Sequence, residues 1–243
     1  MVKLLRVILI LVYLIQSKIR LMKKNLHAII IGASGATGLA LVKLLIKDDR
    51  FLKISVFVRN EFEIQHEKIS VFKIDFTNIK KYKSLIRGDV LFSALGTTRN
   101  EKGGKANQFL VDYSYQHEFA RIACDNHVPL LSLVSSVGAN RNSFFFYPRL
   151  KGLLEDSIKQ LNFKKIKIYQ PSFLIRQNHL MRKNERIGIM IMKFFNNIGI
   201  LKSIRPVSVS VLAKNMVNDI FKNSISIVNY SVLDLSYNFT DGV

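Results

Sequence analysis

The chain is 243 residues long with 49% hydrophobic residues, enough for one α/β domain with a substantial core and too apolar for a disordered chain. A single cysteine, Cys124, excludes an internal disulfide and a cysteine-built metal cage and suits a reducing compartment, expected to be the cytoplasm. The formal net charge of +20 invites an anionic partner, but the basic residues spread along the whole chain without a block or an aromatic-interleaved patch, so no specific nucleic-acid partner is expected.

In chain order, the first segment stands apart. Residues 7–15 form an unbroken apolar run behind Lys3 and Arg6. That run is too short for a membrane span of about 20 residues, and no small-x-small cleavage site follows it. Two readings stand. Residues 1–21 extend upstream of a natural start at Met22, or they form a short basic-flanked helix in peripheral contact with a membrane surface. Residues 1–24 are therefore set apart as an extension, and 25–243 are read as one domain.

Residues 27–31, His-Ala-Ile-Ile-Ile, read as a short buried strand. Residues 39–47 read as a helix with Leu41, Leu44 and Leu45 on one face. Between them lies the turn Gly32-Ala33-Ser34-Gly35-Ala36-Thr37-Gly38. Gly32 permits the tight turn, Gly35 lets backbone N–H groups approach a phosphate, and Gly38 lets the helix pack close to the strand. The helix N-terminus then offers free N–H donors and a favourable dipole to an anion. A strand–turn–helix with this string predicts a dinucleotide site.

Strands are expected at 54–58, 69–74, 89–94, 129–134 and 165–169, with a short polar helix or turn at 77–86 and helices at 106–126 and 147–161. Alternation of near-continuous apolar strands with helices specifies a doubly wound parallel sheet of the Rossmann type, in one domain. Ligands of such sheets bind at the strand tips where the strand order reverses. Arg59 ends the second strand, where an acid would bind the ribose hydroxyl of NAD and an arginine pairs the extra phosphate of NADP. NADP is expected over NAD, although Glu61 two residues on pulls the other way. Asp75, followed by Phe76, ends the third strand; it either accepts from an adenine amino group or caps the next helix. Ala94, Leu95 and Gly96 give the backbone a close approach to the ribose side.

Tyr147 is the one tyrosine with a lysine four positions on, Lys151. On a helix the two share a face, and a nearby ammonium favours a phenolate, bringing the phenol toward use as an acid/base near neutrality. Ser136, at the end of the fifth strand, is placed to hold a substrate oxygen. The bland alternatives are an aromatic packing on Phe144, Phe145 and Phe146, and a lysine on a solvated face.

These residues resemble the short-chain dehydrogenases/reductases, and Leu95-Gly96-Thr97-Thr98-Arg99, Val111-Asp112, Ser135-Ser136-Val137-Gly138-Ala139 and Gln170-Pro171-Ser172-Phe173 look like an atypical subgroup of them. The resemblance implies NADP(H) binding and hydride exchange with a small, fairly apolar carbonyl or alcohol. It makes Tyr147 the acid/base and gives Lys151 the nicotinamide ribose. Ser136, or Ser135 if the turn shifts by one, polarises the carbonyl, and Pro171 to Phe173 border the nicotinamide. The family's usual helix asparagine has no clear match; Asp112 lies near its position. The resemblance also allows a homodimer, and a second role in which the chain senses NADP(H) for a protein partner with little or no catalysis. Residues 176–206, rich in Met, Ile and Phe, read as core or as an apolar lid, and 209–221 as a closing helix. The five histidines show no metal-ligand spacing, and no metal is expected.

Overall fold

The computed structural model describes residues 25–97, 104–172, 174–175, 207–222 and 226–229. The extension 1–24, Phe173 and the segment 176–206 lie outside the described residues. Strand β1 (Leu26–Ile31) passes through the glycine turn into helix α1 (Ala36–Lys47) and then β2 (Phe51–Val58) and β3 (Ile69–Lys73). A 3-10 segment (Phe76–Leu85) leads to β4 (Val90–Ser93). Helix α2 (Gly104–Phe109), a π turn (Leu110–Ser114) and helix α3 (Tyr115–Asp125) run on into β5 (Leu130–Val134). Helix α4 (Phe146–Lys159) and β6 (Lys165–Gln170) follow, then β7 (Leu174–Ile175), β8 (Val207–Ser208), helix α5 (Val209–Asp219) and β9 (Ser226–Asn229).

Seven strands make one sheet in the order β3-β2-β1-β4-β5-β6-β9, and every neighbouring pair is parallel. The apolar runs explain this. Alternate residues of a strand point to opposite faces, and both faces are covered. Ala28 and Ile30 of β1 pack with Leu41, Val42 and Leu45 of α1 and with Leu212, Ala213 and Met216 of α5. Ile29 and Ile31 pack with Phe119 and Ile122 of α3 and with Leu154 and Ile158 of α4. The chain runs outward through β2 and β3, then crosses back to β4 on the other side of β1. The reversal therefore falls between β1 and β4, where Ile31 pairs with Ser93 and the Ala94 amide donates to the Ile31 carbonyl at 3.0 Å.

Two expectations are corrected. The sheet gains a seventh strand, β9, and β7 pairs with β8 in a small second sheet; none of the three exceeds four residues, too short for periodicity to register. The expected continuous helix over 106–126 is interrupted by the π turn. The short polar helix or turn expected at 77–86 is present as a 3-10 segment opened by Asp75.

Two half-buried histidines make the fold sensitive to acid. His27 Nε2 lies 2.7 Å from Ser55 Oγ; burial and then Lys53 push its pKa down, against Asp89. Burial likewise lowers His117. Both stay neutral in the fold at a pH where the unfolded chain, with histidine near about 6.5, already binds protons. Their contribution is thus present above that value and lost as pH falls through the folded pKa. The melting temperature is expected to drop between about pH 7 and pH 5, and a His27→Gln/His117→Gln chain measured alongside should show a shallower drop. Equal slopes would contradict this.

Candidate cofactor and catalytic site

The glycine turn has the geometry its sequence requires. Gly32 sits at φ +82°, and a Cβ there would meet the Ala94 carbonyl oxygen at 2.4 Å. A Cβ on Gly38 would lie 2.1 Å from the Gly32 oxygen, so only glycine lets α1 approach β1 this closely. Gly35 differs: its Cβ would meet only the Gly32 oxygen, at 3.2 Å. Gly35 is the N-cap of α1 and supplies no side-chain cap. Ser34 and Gly35 are exposed, whereas Ala33, Thr37 and Gly38 are buried. The first turn of α1 is therefore open toward the strand tips, with its leading N–H groups uncapped by the protein's own side chain, which suits a pyrophosphate.

Beside it, an open cleft is lined by Arg59, Lys73, Ile74, Asp75, Phe76, Thr77, Tyr82 and Tyr115. Arg59 and Lys73 are exposed at the tips of β2 and β3. Asp75 caps the 3-10 segment: its Oδ1 accepts from the Thr77 amide at 2.8 Å and the Thr77 hydroxyl at 2.7 Å. Those two bonds hold its carboxyl below the usual range. Phe76 is buried, its ring 5.8 Å from that of Tyr115, and forms the floor of the cleft rather than its rim.

Tyr147, Lys151 and Ser136 meet the expected placement in part. Tyr147 lies in the first turn of α4 and is 38% exposed. Lys151, one turn on, puts Nζ 5.8 Å from the centre of the Tyr147 ring. Lys151 is no solvated surface lysine, being 3% exposed. Ser136 and Ser135 divide sharply. The Ser135 hydroxyl is buried and donates to Glu155, while the half-buried Ser136 hydroxyl makes a long bond to the Val137 carbonyl at 3.3 Å. The tips of β5 and β6 are laced together by Ser135 N donating to the Tyr169 carbonyl at 2.7 Å and Val137 N to the Pro171 carbonyl at 3.0 Å.

Under this surface lies a buried charge network. Lys151 Nζ is 3.0 Å from Asp112 Oδ1, with the two side chains 3% and 1% exposed. Asp112 Oδ2 accepts from the Thr97 amide at 3.1 Å, and a Cβ on Gly96 would come within 3.4 Å of Oδ1. One turn below Lys151, Glu155 accepts from Gln170 Nε2 at 2.8 and 3.0 Å as well as from Ser135. Burial opposes the Lys151 ammonium, but the fields of Tyr147, Asp112 and Glu155 and the Asp112 bond outweigh it and hold its pKa above the ordinary lysine value.

Comparison with known proteins shows the family and the fold. A family model described as NAD(P)H-binding matches residues 32–164, more than half of the chain. The chain belongs to the NAD(P)H-binding family. Among relatives, it is 30% identical to protein HTATIP2 of Rattus norvegicus over 180 residues, 72% of each chain. It is 33% identical to the mitochondrial protein FMP52 of Kluyveromyces lactis over 156 residues, covering 63% of this chain and 70% of that one. These relatives are atypical members of the short-chain dehydrogenase/reductase group, as the sequence motifs imply. Solved structures share the fold: a Bordetella bronchiseptica enzyme, WbmH, in complex with NAD+ superposes with a TM-score of 0.65 at 11% identity, over 84% of this chain and 74% of that one. A short chain dehydrogenase from Burkholderia cenocepacia in complex with NADP gives 0.60 at 12% identity, over 85% and 88%.

Within this NAD(P)H-binding domain, several residues escape a reading of sequence alone. Glu155 continues the Tyr147–Lys151 spacing by a further four residues, a signal that was available. Lys73, a cation two residues before Asp75, marks the cleft as Arg59 does. Gln116 and Ser93, which brace Asp112 from behind, carry no local signal. Among the described residues no helix is long and apolar enough to cross a membrane.

Proposed function

We propose that the chain is an NADP-dependent oxidoreductase that reduces or forms a small, fairly apolar carbonyl compound. The observation that carries this reading is the convergence of two features on one set of strand tips: an uncapped helix start behind Gly32 and Gly38, and an exposed phenol beside a buried, charged lysine. Gly32, Ser34, Gly35, Ala36, Thr37 and Gly38 hold the pyrophosphate. Ala94, Leu95 and Gly96 back the ribose, and Pro171 borders the nicotinamide. NADPH, when bound, supplies the hydride.

Tyr147 gives its phenolic proton to the carbonyl oxygen as the carbonyl carbon becomes tetrahedral, and takes it back in the reverse direction. Ser136 donates a hydrogen bond to that oxygen; Ser135 is committed to Glu155 and cannot. Lys151 steadies the phenolate with its ammonium. The cytoplasm is the compartment this reading assigns, on the strength of the single cysteine. A homodimer and peripheral membrane contact through residues 1–21 remain parts of the same proposal.

NADP is preferred because Arg59 and Lys73 are both exposed cations on the cleft, while Asp75, the acid that shares it, is engaged by the Thr77 amide and hydroxyl. An Arg59→Ala/Lys73→Ala chain should lose about a hundredfold or more in NADPH affinity, since two charge-assisted bonds to a phosphate, each worth about 1.5–3 kcal/mol, are lost together. Its NADH affinity should hardly change. Parallel losses for both nucleotides would contradict the assignment. A second reading, a sensor of NADP(H) for a protein partner, is favoured by the tie of Lys151 to Asp112. Tight NADPH binding with no oxidation across a broad panel of carbonyl compounds would select it over catalysis.

A further inference from the structure

The π turn between α2 and α3 places Asp112 against Lys151, and every acceptor on Asp112 is committed. Oδ1 takes Lys151 Nζ at 3.0 Å and Oδ2 the Thr97 amide at 3.1 Å. The Asp112 carbonyl, displaced from regular helical pairing, accepts from Gln116 Nε2 at 2.9 Å, and Gln116 Oε1 accepts from Ser93 Oγ at 2.8 Å. The tip of β4 and two helices thus meet at one residue. We propose that Asp112 is a positioning residue: its charge fixes the Lys151 ammonium and couples it to the cofactor-facing turn from Ala94 to Thr97. The inference rests on reading Lys151 as the lysine of the site.

Geometry supports it over a packing role. Lys151 is 3% exposed, so its charge needs a partner within the fold. Facing it are Tyr147 and Glu155 from α4 and Asp112 from the π turn. The tips of β5 and β6 bring only uncharged groups to this network, Ser135 and Gln170, and both engage Glu155. Glu155 also lies 3.8 Å from Lys159. Asp112 is the carboxylate in direct contact with Lys151. It holds the ammonium charged as bulk pH rises, and it does so through the same side chain that bonds the turn beside Gly96. Lys151 and the ribose wall then move together or not at all.

The test is thermal melting of the full chain between about pH 7 and pH 10, for the native protein, Asp112→Asn, Lys151→Met and the double variant, with NADPH titrations in parallel. Near pH 7, Asp112→Asn should melt well below the native chain. The gap should narrow as pH rises: without its counter-ion the buried ammonium titrates below its unfolded value, the unfolded chain binds more protons, and stability rises with pH. In the Lys151→Met background the same Asp112→Asn change should raise the melting temperature, because it removes an orphaned carboxylate. NADPH affinity of Asp112→Asn should fall about tenfold toward pH 9.5 while the native chain stays level. A gap independent of pH, with one sign in both backgrounds, would overturn the proposal, as would an equal loss of affinity at every pH. If Asp112→Asn does not fold, recovery by Lys151→Met supports the proposal and failure of the double variant overturns it. Should the native chain bind no NADPH, the proposed function falls, while the melting curves still decide the role of Asp112.

Discussion

Replacing Tyr147 by phenylalanine is expected to lower NADPH-dependent carbonyl turnover by about 10²–10⁴-fold, the range spanned by a single positioned proton donor. The loss should appear in kcat, because the proton is needed only as charge develops on the substrate oxygen. Stability should not change. Tyr147 is 38% exposed, so removing its hydroxyl strands no buried partner. The ring, which sits 5.8 Å from Lys151 Nζ, stays where it is. NADPH affinity should therefore match that of the native chain. The contrast separates chemistry from binding: a Tyr147→Phe chain that binds NADPH normally and still turns over at the native rate would remove the phenol from the mechanism.

The second large effect concerns the fold at the cofactor cradle. Gly38→Ala is expected to destabilise the chain by about 3 kcal/mol or more, although alanine is the better helix former by about 1 kcal/mol. Its Cβ would lie 2.1 Å from the Gly32 oxygen and 2.7 Å from the Ala33 Cα. Both are backbone atoms in a turn whose own conformation is fixed by Gly32 at φ +82°, so nothing nearby can swing aside. Gly35→Ala is the informative contrast. Its Cβ meets one atom at 3.2 Å, a contact that a shift of a few tenths of an ångström relieves. That chain should melt close to the native one and lose NADPH affinity, since the methyl group projects over the open start of α1. Denaturant unfolding and a nucleotide titration on both variants check the pair; a stable, cofactor-binding Gly38→Ala chain would contradict the cradle geometry.

These effects also show why some of the site could be read in the sequence and some could not. The glycine turn was legible because its constraints are local: each of the three glycines answers to backbone atoms within a few residues or in the adjoining strand. The parallel sheet was legible because β1, β2 and β4 are buried on both faces and so lack polar alternation. Tyr147 and Lys151 were legible as a helical spacing, but not the burial of Lys151, which depends on helices packing across the sheet. Asp112 carries the sharper lesson. A π turn has no periodic signature of its own, and this one is braced by Gln116 reaching back to the Asp112 carbonyl and by Ser93 from a neighbouring strand. Only the assembled fold brings those groups together. Asp75 shows the converse: two readings were open, and the bonds to Thr77 make it a cap.

The most direct test is calorimetric titration of NADPH and NADH into the folded chain. NADPH should give heat that saturates at one nucleotide per chain at concentrations well below about 1 mM, with NADH weaker. Folded protein that yields no saturable heat with either nucleotide at millimolar concentration would contradict the account at its root.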